Sequence, residues 1–505
     1  MLRWHYGDKP LENLHLTATR LQRELILAVL VVTSAGCGNI LGIEDIEYQA
    51  PPPVDSCWDP NGLQGLGCYR TDGDCKLTKE QIPNACTDSP CIRFDNKSRL
   101  GLSSPMDLPD VLDNTPIMFG APGMSALPAC PPSTPTAPTV VVVGSNAIDD
   151  VVIYVSAELS RSASPITVLY QAQSSCNGAA AILTDMKVAG EFLYWTYVNG
   201  TLTENKCALT AQEADIGISD VFATTCGLDT SIAGATDTLG PIQAMTFVAP
   251  KASAERAISA EAARLVYGYG GTFNDFMSPP WTNVDHIQRR NPASGTQNLI
   301  GKFIGVSSAS FKGTENGSTS AMIGALTDPN LTDPNATIGI LDVVNGDPVS
   351  TKIRVLAFQA AGQQCAFLPD SADGTFDRRN VRDGHYVLWG PLHIFNRSTV
   401  STNAGNVIKF LSLAMAPQLA NQTEAESMSA LIGVTARGSL VPACAMRVQR
   451  TSEGGALSTL LPQHACGCRY ETELGIDAAC TTCDVDTDCQ SPDAPRCNYG
   501  FCEQQ

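Results

Sequence analysis

Arg290-Asn291-Pro292-Ala293-Ser294-Gly295-Thr296 stands where a predicted loop enters a predicted helix. The guanidinium of Arg290 offers forked donors to an oxyanion. Helix starts add unpaired backbone amides and a favourable dipole. The hydroxyls of Ser294 and Thr296 add donors, and Gly295 lets the backbone approach closely. The stretch therefore predicts a cradle for a small tetrahedral anion. The alternative for Arg290 is a surface ion pair, a role that we expect for Arg289.

Length and composition limit the classes of protein that this chain can belong to. It has 505 residues, which predicts two or three domains. Hydrophobic residues make up 43% of the chain and charged residues 16%, so a packed core is expected. The net charge of −19 argues against nucleic acid and anionic membrane surfaces as partners. A buried anion site stays compatible with that charge, because it acts through local dipoles and hydrogen bonds.

Nineteen cysteines are too many for an ordinary cytosolic protein. Setting Cys37 aside leaves eighteen, enough for nine disulfides whose pairing the sequence does not give. Cys480-x-x-Cys483 has spacing that could also bind zinc. The six histidines show no metal spacing, so we expect neither a metal nor a cofactor.

The N-terminal sequence predicts export to an oxidising compartment, which would account for the large number of cysteines. Arg20 and Arg23 precede an apolar run at 25–32 that is too short to span a bilayer but suits a signal peptide. Ser34-Ala35-Gly36-Cys37 follows and resembles a bacterial lipobox, although Ser34 stands where that motif prefers Leu. We therefore expect a signal peptide at 1–36, lipidation of Cys37 and membrane attachment through the lipid. Plain secretion and a cytosolic location are the alternatives.

Apolar runs and turns alternate from residue 139 onward. Strands are predicted at 139–143, 166–170, 193–197, 215–220 and 243–248, and helices from 148, at 179–186 and at 259–267. This alternation predicts an α/β sheet, which binds ligands beyond the carboxyl ends of its strands. Residues 37–138 are expected to form a lipid-anchored tether with a cysteine-rich segment, and residues 449–505 a cysteine-rich module.

Four loops follow these elements in a recognisable order: Gly144-Ser145-Asn146-Ala147, Ser174-Ser175 with Gly178, Asp215-Ile216-Gly217-Ile218-Ser219-Asp220, and Arg290 with Ser294-Gly295-Thr296. In order and spacing they resemble the loops of the phosphate-binding substrate-binding proteins of ABC importers, the PstS-like branch of the type 2 periplasmic binding proteins. The resemblance covers residues 139–448 and neither cysteine-rich end.

The resemblance implies a two-lobed α/β fold with hinge crossovers near Gly240 and Gly384, with small disulfide-rich segments at both ends. Lobe 1 would comprise 139–239 and 389–448, and lobe 2 would comprise 241–383. It also implies a phosphate site, formed by Ser145, Asn146, Ser174 or Ser175, Asp220, Arg290, Ser294, Gly295 and Thr296.

Asp220 has the most specific implied role, which is to accept the proton of hydrogen phosphate. Sulfate carries no such proton at neutral pH, so the carboxylate would repel it. The alternative for Asp220, and the preferred interpretation of Asp215, is a residue that caps or solvates a loop. Ser145 and Asn146 could likewise be simple helix caps.

The sequence therefore predicts an extracytoplasmic lipoprotein of a bacterial envelope that captures phosphate or a related oxyanion for an ABC permease or for sensing. The alternative is a surface interaction module that keeps the fold with a degraded site; Ala147, where a hydroxyl is missing, motivates it. No nucleophile with its base is found, so an enzyme such as a phosphatase is the weakest hypothesis.

Overall fold

The computed structural model describes residues 57–113, 117, 119, 127–130, 137–184, 186–229, 234–416, 423–476 and 480–503. The predicted signal peptide and Cys37 lie outside the described residues. Within the described ranges, no helix has the length and apolar character needed to cross a bilayer.

The strands are, in chain order, β1 (Trp58–Asp59), β2 (Cys68–Tyr69), β3 (Thr139–Ser145), β4 (Thr167–Gln173), β5 (Val188–Val198), β6 (Thr201–Gln212), β7 (Ile216–Ser219), β8 (Ala235–Pro250), β9 (Ala257–Ser259), β10 (Thr272–Phe273), β11 (Phe276–Met277), β12 (Gln288–Arg290), β13 (Thr314–Asn316), β14 (Gly339–Asp342), β15 (Ile353–Gln359), β16 (Trp389–Arg397), β17 (Val448–Gln449), β18 (Ser458–Thr459), β19 (Arg496–Asn498) and β20 (Phe501–Glu503). The main α-helices are α1 (Asn96–Leu100), α2 (Asp149–Ser160), α3 (Ser175–Leu183), α4 (Ala260–Tyr269), α5 (Gly295–Ile304), α6 (Thr319–Leu326), α7 (Val343–Gly346), α8 (Arg379–Asp383), α9 (Thr402–Leu411), α10 (Glu424–Arg437) and α11 (Gly467–Glu473).

The main sheet has ten strands, and the part of it that we call the first lobe has the order β6-β5-β4-β3-β7-β16-β8. β3 lies parallel to both β4 and β7, so these three strands end at one edge. Side chains of β3 alternate between two buried faces: Val140 and Val142 join one core cluster, and Val141 and Val143 join another. A strand buried on both faces has the continuous β-branched run seen in the sequence.

β8 crosses from the first lobe into the second. It pairs with β16 up to Ala244 opposite Trp389, and from Met245 opposite Asp342 it pairs with β14. Its second half also pairs with β15 on the other edge. One long strand therefore belongs to both lobes, and the change of partner lies just past Gly240.

The second lobe continues from β8 through β15 to β9 on one side and through β14 on the other. β12 lies parallel to β13, and Ile287 bridges Ile338 next to β14. The core contains Phe247, whose ring centroid lies 5.6 Å from that of Phe358 and 5.9 Å from that of Tyr267. The chain returns to the first lobe at β16.

Nine disulfides join all eighteen cysteines of the described residues: Cys57–Cys75, Cys68–Cys86, Cys91–Cys365, Cys130–Cys207, Cys176–Cys226, Cys444–Cys466, Cys468–Cys480, Cys483–Cys497 and Cys489–Cys502. The expected count is confirmed. Cys480 and Cys483 each bind another cysteine, so the zinc alternative is wrong for this pair.

The cysteine-rich segment before the sheet is more than a spacer. Cys91 bonds to Cys365 in the second lobe, and the side chain of Asn96 donates to Glu261 at 2.9 Å. Cys130 bonds instead to Cys207 in the first lobe. The described part of this segment is thus fastened to the body of the protein.

The α/β class predicted from the sequence is confirmed, and most predicted elements are present with shifted ends. The helix predicted at 179–186 begins earlier, at Ser175, because Ser174 already has the extended backbone of an N-cap. The helix predicted from 259 is α4, and the Ser259 hydroxyl accepts from the Ala262 amide as an N-cap.

Candidate functional site

Three side chains of the first lobe meet beyond the carboxyl ends of β3, β4 and β7. The hydroxyl of Ser145 donates to Oδ1 of Asp220, and the hydroxyl of Ser175 donates to Oδ2 at 2.7 Å. All three residues are buried. Gly144, with φ at +131°, permits this approach, because a Cβ there would fall 2.0 Å from the carbonyl oxygen of Ile218. The three loops therefore converge on one carboxylate.

The second lobe contributes a cation from the end of β12. Nη1 of Arg290 donates to the hydroxyl of Thr319 at 2.7 Å, and the Arg290 amide donates to the side chain of Gln297 at 2.8 Å. Arg290 is 8% exposed. Nε of Arg290 is buried with no partner among the described residues, and none of their carboxylates forms an ion pair with it. A buried guanidinium without an ion-pair partner lowers the stability of the folded protein unless an anion compensates its charge.

The two lobes touch at the start of α5. A Cβ on Gly295 would fall 2.2 Å from Oγ of Ser175 and 2.7 Å from Oδ2 of Asp220. The amide of Cys176 donates to the carbonyl of Ala293 at 3.3 Å. The N-termini of α3 and α5 thus lie beside the same carboxylate, and the first amides of each helix have no carbonyl one turn earlier to bond.

The other predicted site residues lie around this contact. Ser294 is the N-cap of α5 and is buried, but its hydroxyl makes no capping hydrogen bond. Thr296 is buried in the first turn. Asn146 and Ser174 are half-buried at the starts of their helices, and Ser174 also makes no capping bond. Of the two serines considered for the second loop, Ser175 is the one that contacts Asp220.

Three other polar residues of these elements, Asp215, Arg289 and His393, have structural partners within the protein. Oδ2 of Asp215 accepts from the amide of Val141 at 2.8 Å, which fixes the entry of β7. Arg289 forms an ion pair with Glu315 at 2.7 Å. His393 is fully buried, with Nδ1 2.7 Å from Oδ2 of Asp237. These residues hold the structure together.

Burial changes the acidity of the groups in the cluster. It raises the pKa of Asp220 to about 6, against the lowering effect of its two serine donors. Burial also raises the pKa of Asp342, which caps the short helix after β14. Burial lowers the pKa of Arg290, and the charges of Asp342 and Asp220 partly offset that change. The Arg290 guanidinium therefore interacts with two buried carboxyl groups, that of Asp342 in its own lobe and that of Asp220 across the lobe boundary.

Sequence reasoning missed Asp342, Thr319, Tyr170 and Asp149. Asp342 ends β14 beside β12, so its position follows from strand order rather than from any motif. The Tyr170 hydroxyl lies 2.6 Å from the carbonyl oxygen of Ser145 and 2.6 Å from Oδ1 of Asp149. Asp149 resembles an ordinary acidic residue of a helix first turn, which hides its link to the site.

A C-terminal segment bridges both lobes beside the cluster. The Arg450 guanidinium lies 4.1 Å from the ring centroid of Trp389, at the hinge, and 5.1 Å from that of Phe303 on α5. Oε2 of Glu453 accepts from the amide of Phe222, two positions after Asp220, at 2.9 Å. We call residues 450–453 the strap. Its contacts join α5 and β16 to the segment that follows β7.

The disulfide Cys176–Cys226 joins two of the site loops. Cys176 follows Ser175, and Cys226 ends the 3-10 helix Ala223–Cys226 after Asp220. Both cysteines are buried. A cavity of about 520 Å³ lies elsewhere, lined by Lys251, Asp347 and Phe376 among others, and includes none of the predicted site residues.

No protein-family model and no curated protein matches this chain. Solved structures do. One from Clostridium perfringens, assigned as a phosphate ABC transporter substrate-binding protein and solved with bound phosphate, is 12% identical over 60% of this chain and 99% of its own, with a TM-score of 0.38. An ABC-type phosphate transport receptor from Vibrio cholerae is 14% identical over 60% of this chain and 99% of its own, with a TM-score of 0.36. PstS from Borrelia burgdorferi is 13% identical over 60% of this chain and 98% of its own, with a TM-score of 0.33. These scores are low, and the site described above rests on this chain's own strand order and contacts.

Proposed function

We propose that this protein binds a small oxyanion, with hydrogen phosphate as the preferred ligand, between its two lobes. The observation that carries the proposal is Arg290, a buried guanidinium whose Nε has no partner among the described residues. An anion at this point would compensate the charge. The hydroxyl of Thr319 accepts from Arg290, and the hydroxyls of Ser145 and Ser175 contact Asp220, whose charge acts on Arg290.

The donors can be redirected to such a ligand. The hydroxyls of Ser145 and Ser175 point to Asp220, and each can rotate about its C–O bond toward a phosphate oxygen. Asp220 would then accept the proton of hydrogen phosphate. Each charge-assisted hydrogen bond contributes roughly 1.5–3 kcal/mol, so a few reach the roughly −8 kcal/mol of a micromolar site after ordering costs.

Gly295 sets the space for the ligand. In the closed arrangement its Cα faces Ser175 and Asp220 directly. Entry of a tetrahedral anion therefore requires the lobes to separate at this contact and close again on the ligand. The single crossing strand β8 and the return at β16 provide the hinge for that motion.

We place the protein outside the cytoplasm, since nine disulfides need an oxidising compartment. Lipidation at Cys37 and delivery of the anion to an ABC permease belong to the same proposal. They come from the sequence resemblance alone.

A second candidate is a surface interaction module that keeps the fold. One observation favours it: the Asp220 carboxylate already accepts from both serines, so the protein's own anion can fill the cradle. Partner capture that persists in the double variant Asp220→Ala, Arg290→Ala would support this function. Loss of capture in that variant would count against it.

Isothermal titration with phosphate tests the main proposal. The wild type should bind one phosphate per chain, and Arg290→Ala should weaken the affinity at least 100-fold. Arg289→Ala is the matched control, because it removes the same charge from a residue paired with Glu315 and should leave the affinity unchanged. No heat from the wild type at millimolar phosphate would refute the proposal.

A further inference from the structure

A proton count at Tyr170 shows that Asp149 belongs to the site. The Tyr170 hydroxyl lies 2.6 Å from two acceptors, the carbonyl oxygen of Ser145 and Oδ1 of Asp149. A carbonyl only accepts, and a phenol has one proton to donate. Because the Tyr170 hydroxyl can donate to only one of the two acceptors, both hydrogen bonds can form at once only if Asp149 is protonated and donates to Oη of Tyr170.

The protonated form gives a continuous chain. The Asp149 O–H donates to Oη of Tyr170, and the Tyr170 O–H donates to the carbonyl of Ser145. The side chain of Ser145 in turn donates to Asp220. The carboxyl group that begins α2 therefore fixes the backbone of a predicted ligand residue.

We propose that Asp149 is a positioning residue of the anion site and must be protonated for tight binding, so that its ionisation weakens the capture of hydrogen phosphate. This inference rests on the proposed function. Ionised Asp149 would break the chain to Ser145 and would place another negative charge near the anion.

The surroundings of Asp149 support the neutral form. The charges that act on it most strongly are all acidic: Asp150 on its own helix, Asp342 after β14 and Asp220 after β7. Burial, with these charges, raises the pKa of Asp149 to about 7. Burial raises the pKa of Tyr170 well above its usual value, so the phenol keeps its proton.

Among the residues that the structure describes, the other elements packed on α2 bring no free cation to Asp149. Glu191 of β5 pairs with Lys206, and Arg437 of α10 pairs with Glu473. Arg161, which follows α2, pairs with Glu158 at the far end of the helix. Lys409 of α9 is exposed.

The sign of the pH effect follows. Below pH 7 Asp149 is neutral and the chain is complete. At pH 8 only about one molecule in ten keeps the proton, so the apparent dissociation constant should rise about 10-fold from this cause. Phosphate itself also ionises in this pH range. Comparing the wild type with a variant at each pH cancels the effect of that ionisation on the dissociation constants.

The experiment is phosphate titration at pH 6 and pH 8 for the wild type, Asp149→Asn and Asp275→Asn. The ratio of the wild-type dissociation constant to that of Asp149→Asn should rise about 10-fold between the two pH values. Asp275→Asn, which removes an exposed charge from the turn between β10 and β11, should follow the wild type. A ratio that is constant with pH would overturn the inference while leaving the phosphate site intact.

A second measurement reads the proton without phosphate. Difference infrared spectroscopy of wild-type protein with ¹³C-labelled aspartate should show a protonated carboxyl band that fades with a midpoint near pH 7 and is missing in Asp149→Asn. Absence of that band from the wild type at pH 6 would overturn the inference. If the band is present and phosphate does not bind, the proposed function fails and this positioning role fails with it.

Discussion

Gly295 of the second lobe lies so close to Asp220 of the first that a Cβ at position 295 would stand 2.7 Å from the carboxylate oxygen. The contact joins the start of α5 to the end of β7 across the lobe boundary. It makes closure of the lobes sensitive to a single methyl group.

Gly295→Ala should therefore hold the lobes apart and weaken phosphate binding at least 10-fold. The obstacle is steric, because the new Cβ would also meet Oγ of Ser175 at 2.2 Å. Small-angle scattering with and without phosphate, together with titration, measures both effects. Gly324→Ala in α6 is the matched control, since a Cβ there meets nothing within 4 Å. Equal affinity for the 295 variant and the wild type would contradict this account of closure.

Asp220→Asn should relax the discrimination between phosphate and sulfate. The carboxylate repels fully ionised sulfate and can accept the proton of hydrogen phosphate, whereas an amide can donate to either anion. We expect the ratio of the two affinities to fall at least 10-fold in competition titrations. Asp215→Asn, in the same loop but bonded to the Val141 amide, should keep the wild-type ratio. An unchanged ratio in the 220 variant would remove Asp220 from the specificity argument.

The stability of the protein should fall as pH rises from about 4 to about 7. Burial raises the folded-state pKa of Asp220 to about 6. It is also the main cause of the rise in the pKa of Asp149 to about 7. A carboxyl group whose pKa is higher in the folded than in the unfolded state stabilises the folded state at low pH. That stabilisation is lost as the pH rises through the folded-state pKa. Asp220 alone accounts for on the order of 3 kcal/mol. Urea unfolding across this range in phosphate-free buffer should show the decline, and Asp220→Asn should flatten it; a slope of the opposite sign would contradict the assigned burial.

Removal of the strap contact should speed ligand release. Glu453→Ala takes away the acceptor for the Phe222 amide, which lies next to the Asp220 loop. A lost hydrogen bond of about 1–1.5 kcal/mol corresponds to roughly a 10-fold faster dissociation of phosphate. Stopped-flow measurements would follow the rate, with exposed Thr451→Ala as the control. If both variants release phosphate at the wild-type rate, the strap has no part in holding the lobes.

The sequence predicts best where one segment determines its own structure. The β-branched run at 139–143 has to be a buried strand, and Ser259 followed by Glu261 marks the start of α4. The four site loops could be found because each follows a strand or begins a helix, although only the fold brings Ser145, Ser175 and Gly295 to Asp220.

Long-range relationships were out of reach of the sequence. Gly240-Pro241 suggests a break, yet β8 runs through it, because pairing with β16 and β14 outweighs the local turn preference. Cys91 has no local signal that selects Cys365. Asp149 looks like an ordinary acidic residue of a first helical turn and Asp342 like an ordinary helix cap, and their proximity to the site depends on strand order.

Native mass spectrometry of the purified protein in about 10 micromolar phosphate tests the central claim most directly. The account predicts that the wild type and Arg289→Ala each retain one phosphate per chain and that Arg290→Ala retains at most about a tenth of that amount. A wild-type protein that carries no phosphate, or an Arg290→Ala variant that carries as much as the wild type, would contradict it.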